Sequence, residues 1–182
     1  LVRSRGLGDV YKRQVRNAET NLGDLCADAY RILLGADIAF VNGGGVRDNI
    51  KVGDITYGDI IKVHPFGNEA CLVEVTGQQI KDALELGSAA YPGESGGFLQ
   101  VSGLTYTINA DIPSSVVKND KSEFVKVDGA YRVSDIMVGG QPLDVSKTYT
   151  LASHNYMLKQ GGDGYAMFGT DNVKLLKDGV MI

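Results

Sequence analysis

The sequence predicts an α/β domain in which helices cover mixed β-sheets. Two segments carry apolar residues at helical spacing, one starting near Asn21 and the other at Thr76. Several short apolar runs between glycine-rich turns have the length of buried strands. The 182 residues are 43% apolar and 22% charged, which is typical of one globular domain with a core. We therefore expect layers of helix and sheet, with the turns between the elements converging at one end.

The first half of the chain has clear start and stop signals. Asn21 is a suitable N-cap for a helix that ends at Gly35, because glycine is favoured just beyond a helix. Residues 36–41 form a short apolar run that predicts a buried strand. Residues 56–63 predict a short helix, and residues 69–75 alternate in polarity as a half-buried strand does.

The second half begins with a capping box. Thr76 and Gln79 have the spacing at which each side chain bonds to the other's backbone N–H, and this predicts a helix to about Ser88. Residues 98–110 predict one or two strands, whereas the polar residues 112–128 predict irregular structure. The remaining elements are a hairpin over 132–143, a strand over 149–153, a helical turn over 155–159, and a strand or helix over 173–176.

Composition excludes several classes of function. The net charge of −4 gives no electrostatic basis for nucleic acid or an anionic membrane as the main partner. No apolar run reaches the length of a membrane span. Two cysteines and two histidines are too few for a metal cage or a disulfide framework. Cys26 and Cys71 both lie among apolar residues, which predicts buried free thiols.

Residues 1–14 are not expected to fold with the rest of the chain. They lack the apolar core of a signal peptide. Residues 9–14 look like the in-frame translation of a transposon end used to prepare sequencing libraries. We therefore expect a non-native or disordered leader over 1–14 and one domain over 15–182. Both ends of the sequence are abrupt, and we interpret the chain as a fragment.

Candidate binding residues lie in turns rather than in helices or strands. Loops held by a rigid scaffold are where binding residues concentrate. The chain shows no paired nucleophile and base, because Ser153 and His154 are neighbours on a predicted strand and point to opposite faces. We interpret His154, like His64, as structural. The pattern predicts a chain that binds a ligand without cleaving it. The turns concerned span 42–47, 65–68, 93–97 and 156–165.

The first of these turns places three consecutive glycines between Asn42 and Arg47. Glycines leave the backbone free to adopt φ > 0 and to lie close to a ligand. With peptide N–H groups, an amide and a guanidinium at one point, such a turn suits an anionic group. An ordinary tight turn with a surface arginine fits the pattern equally well, and the spacing matches neither phosphate-binding glycine motif.

Three further residues each allow a binding and a structural interpretation. Phe66 lies in a turn between Pro65 and Gly67, where it can stack on a flat ligand such as a nucleobase or pack back onto the core. Asp163 lies in a glycine loop, where its carboxylate can accept from ligand hydroxyls or form an Asx turn within its own loop. Arg16 can contact an anion or lie on the surface.

Five motifs in a fixed order carry a resemblance to a known family. The chain resembles the C-terminal domain of the bacterial and animal 5′-nucleotidases, a family that includes periplasmic UDP-sugar hydrolases. The motifs cover nearly all of residues 15–177, and five ordered matches are far more specific than any one of them. They are ETNLGDL at 19–25, NGGGVR at 42–47, PFGN at 65–68, GFLQVSG at 97–103 and GGDGY at 161–165.

The resemblance implies a four-layer α/β/β/α fold and a place in a two-domain enzyme. In that family an N-terminal metallophosphoesterase domain carries two divalent metal ions and a catalytic Asp–His pair. The C-terminal domain binds the nucleoside and presents its phosphate across the domain interface. The implied partners are a nucleotide or nucleoside and the metallophosphoesterase domain of a periplasmic, cell-surface or secreted parent. No metal ligand or catalytic residue is expected in this chain, which alone should be inactive.

The resemblance also implies which residues bind the substrate. Phe66 would form one face of an aromatic sandwich around the base, with Asn68 beside it. Asp163 would accept hydrogen bonds from the ribose hydroxyls, and Gly96 would lie along the pocket wall. The residues expected at the polar end of the ligand are Arg16, Asn42 and Arg47.

The chain departs from the family pattern at the second stacking aromatic, which belongs just before the GGDG turn. The candidates are Tyr156 and Met157, and we favour Tyr156 because a ring stacks better than a thioether. Other functions on the same scaffold stay open. They are a stand-alone nucleoside-binding module, a 2′,3′-cyclic phosphodiesterase/3′-nucleotidase domain, and the domain of a sulfur-oxidation thiol esterase.

Overall fold

The computed structural model describes residues 3–4 and 13–181 of the chain. Its helices and strands alternate along the sequence, and three short 3₁₀ turns lie between them. In chain order the elements are β1 (Arg3–Ser4), α1 (Asn21–Leu34), β2 (Ile38–Asn42), β3 (Gly53–Asp54), α2 (Tyr57–Val63), β4 (Glu69–Thr76), α3 (Gly77–Ser88), β5 (Leu99–Ser102), β6 (Leu104–Ile108), β7 (Val116–Lys118), β8 (Phe124–Val127), β9 (Val133–Val138), β10 (Gln141–Pro142), β11 (Thr148–His154), α4 (Asn155–Leu158) and β12 (Lys174–Met181).

Helix α1 is capped one residue earlier than the sequence pattern predicts. The side-chain oxygen of Thr20 accepts a hydrogen bond from the Gly23 N–H at 3.1 Å, so Thr20 and not Asn21 is the N-cap. Gly35 ends the helix with φ +67°, which confirms the predicted glycine stop. The helix therefore has local signals at both ends.

Helices α2 and α3 both begin with capping boxes, of which the sequence analysis identifies the one in α3. In α2, Thr56 and Asp59 bond to each other's backbone N–H groups, and in α3 Thr76 and Gln79 do the same. Helix α3 ends at Ser88, as expected, and most of its residues are buried. It is therefore a core helix, whereas α2 lies at the surface beside the Pro-Phe-Gly-Asn turn.

The core lies on both faces of a five-stranded sheet of order β12-β4-β11-β2-β5. Strand β11 pairs in parallel with β2, and the other three pairings are antiparallel. One face packs on α1 through residues such as Tyr30 and Val41, and the other packs on α3 through residues such as Phe40 and Leu84. Helix α3 also contacts β9, the central strand of the sheet β10-β9-β6. The predicted mixed α/β class with several sheets is confirmed.

Strand directions bring the four turns to one edge of the five-stranded sheet. Because β2 and β11 are parallel, their last residues, Asn42 and His154, lie at the same edge. Strands β4 and β5 run antiparallel to them and begin at that edge, where Ala70 pairs with His154 and Leu99 pairs with Asn42. The turns that follow β2 and β11 therefore meet the turns that precede β4 and β5.

The prediction of irregular structure over 112–128 is wrong, because β7 and β8 form an antiparallel hairpin there. Asn119 organises its tip: Oδ1 accepts from the backbone N–H groups of Lys121 and Glu123 at 3.0 and 2.9 Å. The polar residues that predicted a loop belong largely to this tip, and the flanking strands are only three and four residues long. At the C-terminal end, most of residues 173–176 lie in strand β12.

The predicted leader of residues 1–14 lies largely outside the described residues. Where it is described, β1 pairs with β3, and a 3₁₀ turn begins at Gln14. The Nε of Arg13 lies 2.6 Å from a carboxylate oxygen of Glu94. The non-native origin of residues 1–14 stays a prediction.

Both cysteines are free and buried, as predicted. Burial raises the pKa of Cys26 and that of Cys71 to about 12. The Cys26 Sγ lies 3.1 Å from His64 Nε2, and the Cys71 thiol donates to an Asp178 carboxylate oxygen at 3.3 Å. Because only a thiolate is a strong nucleophile, neither cysteine is reactive near neutral pH.

Candidate functional site

A cavity of about 430 Å³ lies where the four turns meet. Its volume falls within the range of roughly 300–1,000 Å³ that is usual for small-molecule sites. Every residue that the sequence analysis assigns to substrate binding lines it, together with Gly44, Gly45 and His154. The predicted residues found here are Arg16, Asn42, Arg47, Phe66, Asn68, Gly96, Tyr156 and Asp163.

The glycine turn after β2 is needed for close packing and not for a left-handed backbone. Gly43–Gly45 form a 3₁₀ turn, and none of the three has a positive φ. A Cβ at Gly43 would overlap the carbonyl oxygen of Val15, and one at Gly44 would lie 3.1 Å from the Gly96 oxygen. The N–H groups of Gly43 and Gly44 donate to carbonyl oxygens of the loop before β5 at 2.7 Å. The expectation that these N–H groups face a ligand is therefore wrong.

Four side chains form a hydrogen-bonded group that we call the polar network: Asn42, His154, Tyr156 and Asp163. The Asn42 Nδ2 donates to Asp163 Oδ2 at 2.5 Å, and the Asn42 Oδ1 lies 3.0 Å from His154 Nε2. The Tyr156 hydroxyl donates to Asp163 Oδ1 at 3.1 Å and accepts from the Asp163 N–H at 3.1 Å. These bonds connect the end of β2, the end of β11, α4 and the GGDG turn.

The network fixes the protonation of His154. The amide nitrogen of Asn42 donates to a carboxylate, so its oxygen faces the histidine and must accept a proton from Nε2. The other ring nitrogen, Nδ1, accepts from the Met157 N–H at 3.4 Å. Burial, with a smaller contribution from His64, lowers the pKa of His154 to about 4. His154 is therefore neutral at physiological pH, with its proton on Nε2.

His154 is the cavity residue that sequence reasoning assigns only a structural role. It does hold the network together, but it also lines the cavity. Its neighbour Ser153 points elsewhere and bonds to the Met157 sulfur at 3.7 Å, so the two do not form a dyad. In the sequence, the one sign that His154 could belong to the site is its position at the end of a predicted strand. Its partner Asn42 becomes evident only from the parallel pairing of β11 with β2.

Asp163 occupies an unusual backbone position. Its φ is +55°, in the left-handed region, between Gly161 and Gly164, whose φ angles are +64° and +86°. Its carboxylate oxygens accept from Asn42 and Tyr156 and not from the N–H groups of its own loop. The Asx-turn interpretation is therefore wrong. The loop holds the carboxylate toward the cavity.

The two candidates for the second stacking residue point in different directions. Met157 is fully buried in the core, whereas Tyr156 is half-buried and lines the cavity. Burial and the charge of Asp163 raise the pKa of Tyr156, so its hydroxyl keeps its proton. The geometry favours Tyr156 as the aromatic side chain on this wall. Its stacking on a ligand stays a prediction.

At the cavity mouth, Phe66 and Arg47 form a second unit that we call the exposed pair. The Phe66 ring is 60% exposed, so the interpretation that it packs onto the core is wrong. The guanidinium carbon of Arg47 lies 5.8 Å from the ring centroid, within the range of a cation–π contact. Arg47 also donates to the Gly44 carbonyl oxygen at 3.3 Å.

Two guanidinium groups give the cavity a positive side. Arg16 is half-buried, and its backbone oxygen accepts from the Ser95 N–H at 2.9 Å. Within the described part of the chain, neither Arg16 nor Arg47 forms an ion pair. An anionic group in the cavity would therefore meet two cations whose charges are not neutralised by an acidic neighbour.

The described residues hold no group of three or more His, Cys, Asp and Glu side chains that could bind a metal ion. Over the same residues, no helix is both long and apolar enough to cross a membrane. The side chains that line the cavity can offer a ligand hydrogen bonds, an aromatic face and charge pairing.

Comparisons with known proteins identify the family of this chain. The family model described as the C-terminal domain of 5′-nucleotidase matches residues 3–170, which includes part of the predicted leader. The chain is 37% identical over 169 residues to the trifunctional nucleotide phosphoesterase protein YfkN of Bacillus subtilis, a match that covers 88% of this chain and 10% of that protein. It is 36% identical over 167 residues to a 5′-nucleotidase of Vibrio cholerae, with 91% and 26% covered.

A solved structure is similar over almost the whole of this chain. The 5′-nucleotidase precursor from Thermus thermophilus superposes with a TM-score of 0.75 at 31% identity, covering 97% of this chain and 33% of that one. The chain thus spans a tenth to about a quarter of the curated relatives and a third of this structure. The fold, the five motifs and the family match agree, and the chain belongs to the 5′-nucleotidase family, in which it corresponds to the C-terminal domain.

Proposed function

We propose that this chain binds the nucleoside part of a nucleotide and positions it for phosphoester hydrolysis by a second domain of a secreted or periplasmic parent. The observation that carries the proposal is the single cavity lined by all eight residues that the family resemblance implies. Arg16 comes from the 3₁₀ turn before α1, and the other seven come from four turns that are distant in sequence, so this convergence is a property of the fold.

The base and the sugar would use different parts of the cavity. The base would stack between Phe66 and Tyr156, with Asn68 at its edge, since base–aromatic stacking is favourable for any base. The ribose hydroxyls would donate to Asp163. An ionised carboxylate has about four lone-pair sites, so the two bonds from Asn42 and Tyr156 leave acceptor capacity for a ligand.

The phosphate would lie toward Arg16 and Arg47, whose guanidinium groups have no acidic partner among the described residues. Asn42 already uses its amide on Asp163 and His154, so its main task would be to hold the carboxylate in place. Its second Nδ2 proton would be free for the ligand.

Hydrolysis itself would belong to the parent protein. Its metallophosphoesterase domain would hold two divalent metal ions, which supply a metal-activated water as nucleophile. This domain would contribute orientation of the substrate. We expect the chain alone to release no phosphate from AMP, and a parent protein with an Asp-x-His metal motif upstream to do so. A parent without that motif would favour a stand-alone binding module.

Titration of the chain with adenosine and AMP tests the proposal. Binding should raise the melting temperature and shift the amide resonances of the four turns, because a ligand of the native state stabilises it. Ribose 5-phosphate is the control for the base, and it should bind more weakly than AMP. A folded sample that responds to neither adenosine nor AMP at millimolar concentration would contradict the proposal.

A further inference from the structure

Gln100 is a buried amide that lies outside the cavity, behind the segment that carries Arg16. It lies on β5, is 1% exposed and pairs with Val41 of β2. Its Nε2 donates to the carbonyl oxygens of Val15 and Ala18 at 3.0 and 2.7 Å. Its Oε1 accepts from the Thr20 N–H at 3.0 Å and from the Thr20 hydroxyl at 3.4 Å. All four hydrogen-bonding positions of the amide are therefore used.

These bonds hold both ends of the 15–20 segment. The segment has little regular structure of its own, since its 3₁₀ turn spans only Gln14–Arg16. Two other elements fix it: the Ser95 N–H donates to the Arg16 oxygen at 2.9 Å, and Gly43 packs without a side chain against the Val15 carbonyl. The backbone of Arg16 is thus located by contacts from β5, from the loop before β5 and from the turn after β2.

The chemistry of the position requires glutamine. Only a primary amide offers two donors to carbonyl oxygens and two lone pairs to donors at the same time. A glutamate would direct an oxygen at the carbonyls of Val15 and Ala18, and a methionine would leave both without this partner. Gly23 of α1 permits the arrangement, because a Cβ there would overlap the Gln100 amide.

We propose that Gln100 is a positioning residue that sets the location of the Arg16 guanidinium in the cavity, and thereby the preference for phosphorylated over unphosphorylated nucleosides. This inference rests on the proposed function. Gln100 does not touch the ligand in this scheme. Its loss would move the one cation that is carried by an irregular segment, while Arg47 would keep its place on a different turn.

The test compares affinities for AMP and adenosine by calorimetry in four proteins: the wild-type chain, Gln100→Met, Arg16→Ala and the double variant. Removing a charge-assisted hydrogen bond should weaken AMP binding about tenfold in Arg16→Ala. Gln100→Met should weaken AMP binding by roughly three- to tenfold and adenosine binding less than about twofold. In the Arg16→Ala background, Gln100→Met should have no further effect on the ratio of the two affinities.

A matched control lies two residues along the same strand. Ser102 is also buried and polar, and it bonds to Asp28 and Arg31 of α1. Ser102→Ala should lower stability without changing the ratio of AMP to adenosine affinity. If Gln100→Met does not fold, Gln100→Leu replaces it, because leucine also removes the two donors and places no oxygen against the carbonyl groups of Val15 and Ala18.

A measurement without ligand separates this proposal from the proposed function. Amide hydrogen exchange over residues 15–20 should be about tenfold faster in Gln100→Met than in Ser102→Ala, since only the former frees this segment. Three results would overturn the proposal. The first is that Gln100→Met leaves hydrogen exchange over residues 15–20 unchanged, and the second is that it weakens AMP and adenosine binding equally. The third is that the effects of Gln100→Met and Arg16→Ala on the affinity ratio simply add in the double variant. A wild-type chain that binds neither ligand would overturn the proposed function and the AMP preference, while the exchange rates would still decide whether Gln100 holds the segment.

Discussion

In the polar network, Asn42 hydrogen-bonds to both His154 and Asp163, whereas the Phe66 ring of the exposed pair lies mostly in solvent. In the network, two of these three side chains, Asn42 and His154, are at most 5% exposed. In the exposed pair, the Phe66 ring is 60% exposed and its contact with Arg47 is a single one at 5.8 Å. The polar network is thus satisfied by contacts within the protein, whereas most of the Phe66 surface has no contact with the protein.

Because the two units differ in burial, substitutions in them should change the free energy of unfolding by different amounts. A buried polar group that loses its partner lowers the free energy of unfolding, because the remaining group is desolvated without compensation. An exposed ring that is truncated loses little in the free protein, since water already covers it. Variants of the polar network should therefore change stability first, and variants of the exposed pair should change ligand binding alone.

The largest effect is expected from Asn42→Leu. This change leaves the buried His154 N–H without its acceptor, at about 1–3 kcal/mol. It also removes the hydrogen bond from Asn42 to Oδ2 of Asp163, an exposed residue that water can reach, at about 0.5–1.5 kcal/mol. The free energy of unfolding, measured in urea, should fall by about 3 kcal/mol. The control is Asn68→Leu, the same change at a half-buried site outside the network. Equal effects at the two sites would contradict the division into two units.

The polar network should also make the chain sensitive to mild acid. The pKa of His154 is about 4 in the folded protein and near its ordinary value of 6.5 when unfolded, so the unfolded state binds more protons between these pH values. Stability is complete above pH 6.5 and should fall by about 3 kcal/mol as the pH drops to 4. His64, whose pKa is also lowered by burial, would add a loss of the same sign.

A substitution isolates the contribution of His154 to this acid sensitivity. His154→Gln keeps an amide donor for the Asn42 oxygen and does not titrate. The difference in unfolding free energy between the wild-type chain and this variant should change by about 3 kcal/mol between pH 7 and pH 4. A difference that is constant with pH would show that His154 is not held neutral by burial.

The two units also differ in how far the sequence predicts them. Phe66 and Arg47 lie in compact motifs whose residue types allow stacking and anion binding, and the family resemblance favours these roles without knowledge of the fold. His154 bonds to Asn42 across 112 residues, and this contact depends on the parallel pairing of β11 with β2. A sequence pattern shows which face of a strand is apolar, but not which strand lies beside it. The family resemblance therefore predicts Asn42, Tyr156 and Asp163 as binding residues, but neither the hydrogen bonds among them nor the place of His154 beside Asn42.

The same distinction applies to the fold. Helices α2 and α3 are predicted correctly because their capping boxes are local signals. The hairpin of β7 and β8 is missed because its strands are short and its tip is polar. The sequence predicts the glycine turn but gives the wrong reason for its glycines. Only the tertiary structure shows that Val15 and Gly96 pack too closely against this turn for side chains. Local signals predict elements, and packing determines why particular residues are required.

Truncation of the exposed ring should affect binding and not stability. Phe66→Ala should weaken binding of adenosine by about 1–3 kcal/mol, because one stacking face is lost. The melting temperature should stay the same, since the ring is mostly in solvent. Tyr57→Ala is a suitable control, because Tyr57 is 77% exposed and does not line the cavity. A clear loss of stability in Phe66→Ala would mean that the ring packs on the core after all.

The smallest effect concerns the coupling within the exposed pair. An exposed cation–π contact contributes about 0.5–1 kcal/mol, and the 5.8 Å separation of Arg47 from the Phe66 ring is near the outer limit of about 6 Å. A double-mutant cycle of Arg47→Met and Phe66→Ala, read out as stability of the free chain, should give a coupling of about 0.5 kcal/mol or less. Read out as AMP affinity, the coupling should be larger, because a bound nucleotide would order both side chains. Equal coupling in the two measurements would show that the pair is already ordered without a ligand, and the contrast with the polar network would then lie in exposure alone.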